Sequence, residues 1–174
     1  MFGGIIVVLL GICSFVMLTQ PALAFYGGNG NELAETIKDF LNKNFTGSTN
    51  CYDMIVFEES QNTYWLIGNI FLIIAMVFCG LLLLFTILNL VLQSAGKNKI
   101  LGTRIFAIFF FLFAVLSLVM YVLFANELMN TNLEDFVQTI KEGGMIFTVG
   151  YGLICFVISS LLTIFFASGK KKSR

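Results

Sequence analysis

Three long, uninterrupted apolar runs dominate the pattern of hydrophobic and polar positions. Residues 65–92, 105–125 and 145–167 contain no Asp, Glu, Lys or Arg. A helix needs about 20 apolar residues to cross a hydrocarbon core about 30 Å thick, and each run reaches this length. Backbone groups in lipid must be hydrogen-bonded within the protein, and the runs are too long for barrel strands. The pattern therefore predicts three transmembrane helices.

A fourth apolar segment, residues 2–20, has two interpretations. The sequence Ala22-Leu23-Ala24 follows it, and this small-x-small form is typical of a signal-peptidase site. However, no Lys or Arg precedes the segment, as a signal peptide would normally require. We expect a retained helix, and hence a single membrane domain (1–174) forming an all-α integral membrane bundle of four transmembrane helices. The alternative is three helices plus a cleaved signal peptide.

The charges of the connecting segments predict the orientation in the membrane. Seven of the ten Lys and Arg lie in the turn 93–103, at Arg104 directly after it, or in the tail 168–174. All ten Asp and Glu lie in the two other loops, 25–63 and 126–144. Because basic residues near helix ends stay in the cytoplasm, we expect a multi-pass protein with a cytoplasmic C-terminus and two outer loops.

Each outer loop contains apolar residues at helical spacing. In the first loop they fall within residues 31–45, and in the second within residues 133–140. Thr131 and Glu134 have the spacing of a capping box before the second group, and Gly143-Gly144 follow it as a stop signal. The pattern predicts a short amphipathic helix in each loop. Each helix either covers its own bundle or docks a partner.

Composition argues against several classes of function. The chain is 58% hydrophobic and 11% charged, has zero formal net charge and contains no His. Zero net charge argues against a nucleic-acid partner. Without His there is no Ser/His/Asp or Cys/His set, and the sequence contains neither a CxxC pair nor a Gly-rich phosphate loop. We therefore expect no enzymatic activity, no metal site and no cofactor.

Small residues within the apolar runs are candidates for helix–helix contacts. Lipid gives helices no hydrophobic reason to associate, so close packing through small side chains drives their association. The candidates are Ala75, Cys79, Gly80, Ala107, Ala114, Gly150, Gly152, Ser159 and Thr163. Their contacts are expected to join helices of this chain, of other membrane protein subunits or of further copies of itself.

Two short motifs suggest modification or targeting if the host is a eukaryote. Asn44-Phe45-Thr46 is a glycosylation sequon on the predicted outer side. Lys171 and Lys172 have the dilysine form of a retrieval signal to the endoplasmic reticulum. The alternative for the lysines is a simple cytoplasmic anchor that contacts the lipid headgroups.

Four spans with a long first outer loop and a shorter second one resemble tetraspan families such as the claudin-like and MARVEL-type proteins. The resemblance concerns organisation only. The claudin first-loop signature needs a Trp and a pair of Cys, whereas this loop has only Cys51, and Trp65 opens the next apolar run. The leading hypothesis for function is a non-enzymatic small polytopic subunit or accessory protein of a larger membrane complex. Alternatives are a self-assembling channel or pore and, more remotely, a membrane enzyme acting on lipid or quinone.

Overall fold

The computed structural model describes residues 2–26, 48–50, 62–98, 102–130 and 146–167. Four helices and three short strands follow one another within these ranges, and this order confirms the four predicted helices. In chain order the elements are α1 (Phe2–Met17), β1 (Pro21–Tyr26), β2 (Ser48–Asn50), α2 (Thr63–Ser94), α3 (Arg104–Asn130), β3 (Ile146–Val149) and α4 (Tyr151–Phe166). Two of the helices, α2 and α3, are long and apolar enough to cross a membrane.

Helix α2 begins at an identifiable cap, and α3 extends beyond its predicted range. The side-chain oxygen of Asn62 accepts hydrogen bonds from the backbone N–H groups of Tyr64 and Trp65, which caps the start of α2. The helix ends at Ala95. Helix α3 continues to Asn130, five residues beyond the predicted range. Within this extension, the Glu127 carboxylate accepts a 2.6 Å hydrogen bond from Asn62 Nδ2 at the start of α2.

Helices α1 and α4 are shorter than predicted. Each has 16 residues and is therefore about 24 Å long. Helix α1 ends at Met17, although the predicted range was 2–20. In the predicted range 145–167, residues 146–149 form β3 instead of helix. The break before α4 lies at Gly150, which has an extended backbone and whose N–H donates to Ala22 O at 2.7 Å.

A small antiparallel sheet, which the sequence did not predict, joins the end of α1 to the start of α4. Its strand order is β2-β1-β3, so β1 is the central strand. Leu23 is paired with Thr49 on one side and with Val149 on the other. The candidate cleavage motif Ala22-Leu23-Ala24 therefore lies in the strand that holds the sheet together.

The four helices pack with alternating directions. The turn end of the bundle contains the start of α1, the end of α2, the start of α3 and the end of α4; the sheet end is the opposite one. At the turn end, a Cβ added to Gly3 would lie 3.1 Å from Phe166 O. At the sheet end, Tyr151 Oη donates to Gln20 Oε1 at 2.8 Å. Buried apolar side chains from all four helices, including Val7, Leu72, Phe110 and Phe156, form one core between them.

Several predictions lie outside the described residues. These are the amphipathic helices within 31–45 and 133–140, the sequon at Asn44, Cys51, and the basic tail 168–174 with Lys171 and Lys172. They stay predictions.

Candidate functional site

Most of the predicted small residues are buried between helices of this same chain. Ala75 and Cys79 of α2 and Ala107 and Ala114 of α3 are fully buried. The positions predicted around α4 are also buried, namely Gly150, Gly152, Ser159 and Thr163. These residues therefore pack the bundle internally, and they are not available to an external partner.

Gly80 is an exception, because it does not face another helix of this chain. A Cβ added at Gly80 would meet no atom within 4 Å, whereas the preceding residue, Cys79, is fully buried. Consecutive residues of a helix point about 100° apart, so only one of the two faces the neighbouring helix. Gly80 is not a helix-packing position within the described bundle.

Helix α1 contributes two close contacts that the sequence reasoning missed. A Cβ added to Gly11 would lie 2.5 Å from Leu83 Cδ2, and one added to Gly4 would lie 2.8 Å from Leu90 Cδ2. The two glycines, like the two leucines, are seven residues apart, which is two helical turns. This shared spacing in the first two apolar segments was the signal that could have identified the contact.

A buried hydroxyl contact joins α1 to α4. The Oγ atoms of Ser14 and Ser159 lie 2.6 Å apart at hydrogen-bonding distance. Each hydroxyl also lies close to a carbonyl of its own helix: Ser14 Oγ is 2.8 Å from Leu10 O, and Ser159 Oγ is 2.9 Å from Phe156 O. One turn before Ser14, the Gly11 carbonyl faces Cys79 Sγ of α2 at 3.8 Å. The centre of the bundle is thus a junction of small and hydroxyl side chains.

A second polar cluster joins α2 to α3. Tyr121 Oη donates to Asn69 Oδ1 at 2.6 Å, and Ser117 Oγ donates to Gly68 O at 3.1 Å. Trp65 packs edge-on against the Tyr121 ring with a centroid distance of 6.1 Å. Ser117 and Tyr121 are one turn apart on α3, and Trp65 and Asn69 are one turn apart on α2. The cluster therefore fixes the register of the two helices.

Phenylalanine rings extend the α2–α3 contact toward the turn end. Phe78 stacks on Phe109 and Phe113, with centroids 5.2 and 5.7 Å away, and Phe85 stacks on Phe106 at 5.1 Å. Such ring pairs contribute about 0.5–1.5 kcal/mol beyond the burial of their area. The long helices are therefore joined along most of their length.

The described part of the chain contains neither an unpaired buried polar side chain nor a metal-binding group. Every buried side-chain nitrogen and oxygen there has a hydrogen-bond partner. Among the same residues, no three His, Cys, Asp or Glu side chains lie together in a group suited to a metal ion. Cys13 is exposed, Cys79 is buried and Cys155 is half-buried, all three as free thiols.

Comparisons with known proteins place the chain in no family. No protein-family model matches it, and neither a curated protein nor a solved structure is detectably similar to it. Functional evidence therefore rests on the residues and geometry of the bundle.

Proposed function

We propose that this chain is a four-span membrane protein that acts as a non-enzymatic subunit or accessory protein of a larger membrane complex. The observation that supports this most is the division between a partnered polar interior and an apolar exterior. On α1 the exposed positions form one apolar stripe, namely Phe2, Ile5, Leu9, Ile12 and Val16. On α4 the corresponding stripe is Tyr151, Ile154, Ile158, Leu161 and Phe165. Such surfaces suit lipid tails or other transmembrane helices, and the Cys13 thiol beside the stripe of α1 is the one reactive side chain exposed on these two helices.

The lengths of the helices fit this proposal with one adjustment. Helices α2 and α3, of 32 and 27 residues, are about 48 and 40 Å long and exceed the hydrocarbon core. Helices α1 and α4 are about 24 Å long and fall short of it. The apolar strands β1 and β3 continue these helices at the sheet end. Because β2 and β3 are open edges of the sheet, and open edges do not occur in the hydrocarbon core, we place the sheet at the border of the core.

The orientation follows from the charges, with the turn end in the cytoplasm. Labelling of single-Cys variants with an impermeant thiol reagent tests this part of the proposal. A Cys introduced at Asn98 should react only from the cytoplasmic side, and Cys51 only from the outer side. The reverse labelling pattern would contradict the proposed topology.

The sheet supports retention of α1 over its removal as a signal peptide. Cleavage after Ala24 would remove Leu23 and Ala24, which pair with both neighbouring strands. It would also remove Ser14 and Gly11, which contact α4 and α2. A retained α1 is therefore part of the proposal.

The alternative of a self-assembling pore is weakened by the direction of the polar side chains. A shared water-filled axis would need Ser, Thr and Asn on the outer faces of the helices. Asn69, Ser117 and Ser159 instead face the interior of a single chain, where each has a hydrogen-bond partner. A pore formed through the outer faces would be lined by Ile, Leu and Phe, and such a lining does not favour ion passage.

Native mass measurement of the protein extracted in mild detergent from its own membrane tests the role. We expect a fixed ratio of this chain to a different membrane protein, maintained after purification through either component. A homo-oligomer would favour the pore instead. A lone monomer that persists across detergents would contradict both proposals.

A further inference from the structure

The apolar outer surfaces of the two helix pairs differ in height. The α1–α4 surface consists of two exposed stripes, Phe2 to Val16 and Tyr151 to Phe165, each about 21 Å high along its helix axis. On α2 the exposed apolar side chains extend from Leu66 to Val91, over about 38 Å, and on α3 from Ile105 to Leu123, over about 27 Å. A hydrocarbon core is about 30 Å thick, so the α1–α4 surface falls short of it by about 9 Å.

The shortfall lies at the sheet end of the bundle. Gly4 of α1 lies against the Leu90 side chain of α2. Two turns later Gly11 lies against Leu83, so the two helices run antiparallel and in step, residue for residue. At this spacing the last residue of α1 lies at the level of Val77. The part of α2 that precedes Val77 therefore continues for about 21 Å beyond the end of α1.

Polar side chains border the α1–α4 surface at the sheet end. Thr19 is exposed directly after the stripe of α1, and its hydroxyl donates to Val16 O at 2.7 Å. Tyr151 at the start of α4 donates through Oη to Gln20 Oε1 at 2.8 Å. Tyr is enriched at membrane–water interfaces, where its ring contacts apolar groups and its hydroxyl contacts polar ones. The outer surface of α2 is still apolar beyond this level, because Ile70 is exposed.

Side-chain size on the α1–α4 surface favours lipid over another helix as its occupant. Transmembrane helices associate closely through small residues. The small residues Gly11 and Ser14 of α1 and Gly152 and Ser159 of α4 are all buried within the bundle. The exposed stripes instead consist of large apolar side chains, which pack readily against flexible acyl chains.

A lipid layer beside a short apolar surface must become thinner, and short acyl chains reduce the cost of this thinning. We infer that phospholipids cover the α1–α4 surface, that this surface thins the bilayer beside it, and that it binds phospholipids with short acyl chains in preference to long ones. The taller surface of α2 has no such preference. The inference rests on the proposed four-span topology, but it does not depend on the proposed subunit role.

Quenching of tryptophan fluorescence by brominated phospholipids measures which lipids contact each surface. Trp65→Phe removes the single natural Trp and keeps an aromatic ring. In this background, Leu9→Trp reports on the α1–α4 surface and Val77→Trp on α2, at positions that are 57% and 56% exposed. Each full chain is reconstituted in mixtures of dimyristoleoyl and dierucoyl phosphatidylcholine, with one of the two brominated. We expect at least about a threefold preference for the short chains at Leu9→Trp, and no preference for them at Val77→Trp.

Each other outcome counts against the inference in a different way. Quenching at both positions with the same chain-length preference would overturn it and leave the four-span topology intact. Quenching at Val77→Trp but not at Leu9→Trp would show that a second copy of the chain, not lipid, covers the α1–α4 surface. Absence of quenching at both positions would contradict the topology itself. If Leu9→Trp does not give a monodisperse protein, Ile12→Trp on the same stripe replaces it and must show the same preference.

Discussion

The α2–α3 pair and the α1–α4 pair are held together in different ways. Helices α2 and α3 are long, follow one another in sequence across a short turn, and meet through stacked rings and the Tyr121–Asn69 hydrogen bond. Helices α1 and α4 have half the length of α2 and lie at opposite ends of the chain. They meet through Ser14 and Ser159, which are 145 residues apart in sequence.

The difference shows which half of the bundle depends on the other. Helix α2 has its own cap at Asn62, and α2 and α3 share an aromatic contact and a short connection, so their contacts join residues closer in sequence than Ser14 and Ser159 are. The α1–α4 pair relies on the β1–β3 pairing and on the close approach of Gly11 to Leu83 of α2. Long-range contacts repay their cost in chain entropy only when the whole set forms. We therefore expect changes to the packing of the α1–α4 half to have the largest consequences and the loss of single hydrogen bonds in either half to have smaller ones.

The largest expected effect is the loss of α1 itself. Deletion of residues 2–24 removes one partner of α4 and most of the central strand β1, so the remaining chain should fail to elute as a monodisperse species in mild detergent. For the same reason, intact mass of the mature natural protein should show that these residues are retained. A mature chain that begins at Phe25 and remains folded would reduce the protein to three helices and remove the basis of the comparison.

The second expected effect concerns the closest approach of α1 to α2. In Gly11→Leu even the first added carbon would lie 2.5 Å from Leu83 Cδ2, so the Leu83 side chain must change its rotamer or one of the helices must move. Overpacking of this kind costs about 1–3 kcal/mol, which should appear as a clear drop in the thermal unfolding temperature in detergent.

Gly80→Leu is the matched control for this substitution. It places the same side chain in a helix where an added Cβ meets no atom within 4 Å. Leu also has a higher helix propensity than Gly, by under about 1 kcal/mol, so the control should be neutral or slightly stabilising. Equal destabilisation by the two variants would show that α1 does not approach α2 as described.

The sequence predicted the α2–α3 half better than the α1–α4 half, for a physical reason. The apolar run 65–92 lies within α2, which extends only two residues beyond it at each end. The apolar pattern could not separate β3 from α4, because a short continuous apolar run fits a buried strand as well as a helix. The β-branched and aromatic residues of Ile146–Val149, followed by Gly150, were the available signal for a strand.

The candidate packing positions show a similar limit of prediction from the sequence. Composition identifies small residues, but it does not show which face of a helix meets a neighbour. Cys79 and Gly80 were equally good candidates, and only Cys79 is at the contact. The glycines of α1 were missed because their importance comes from Leu83 and Leu90, which are more than 70 residues away in sequence. Contacts of this kind depend on how the helices pack.

The third expected effect tests the polar cluster of the α2–α3 half. Tyr121→Phe keeps the ring between the helices but removes the 2.6 Å hydrogen bond to Asn69. Hydrogen bonds between transmembrane helices contribute about 0.6 kcal/mol on average and up to about 1.7 kcal/mol, so the unfolding temperature should fall by a few degrees. Tyr64→Phe, at an exposed position, should leave it unchanged. If Tyr121→Phe still destabilises the bundle fully when combined with Asn69→Ala, its effect does not come from this hydrogen bond.

The smallest expected effect concerns the hydroxyl contact of the α1–α4 half. Ser14→Ala removes one of the two hydroxyls that meet at 2.6 Å, but Ser159 Oγ still has Phe156 O as an acceptor. No buried polar atom is left unpaired, so the cost should be about 0.6 kcal/mol or less, below that of Tyr121→Phe. Ser94→Ala is the control, because its exposed hydroxyl bonds only within α2, to Val91 O. Both costs can be read from unfolding temperatures in the same detergent. If Ser14→Ala costs more than Tyr121→Phe, the hydroxyl contact of the α1–α4 half contributes more than the polar cluster of the α2–α3 half, and the expected order of the two is wrong.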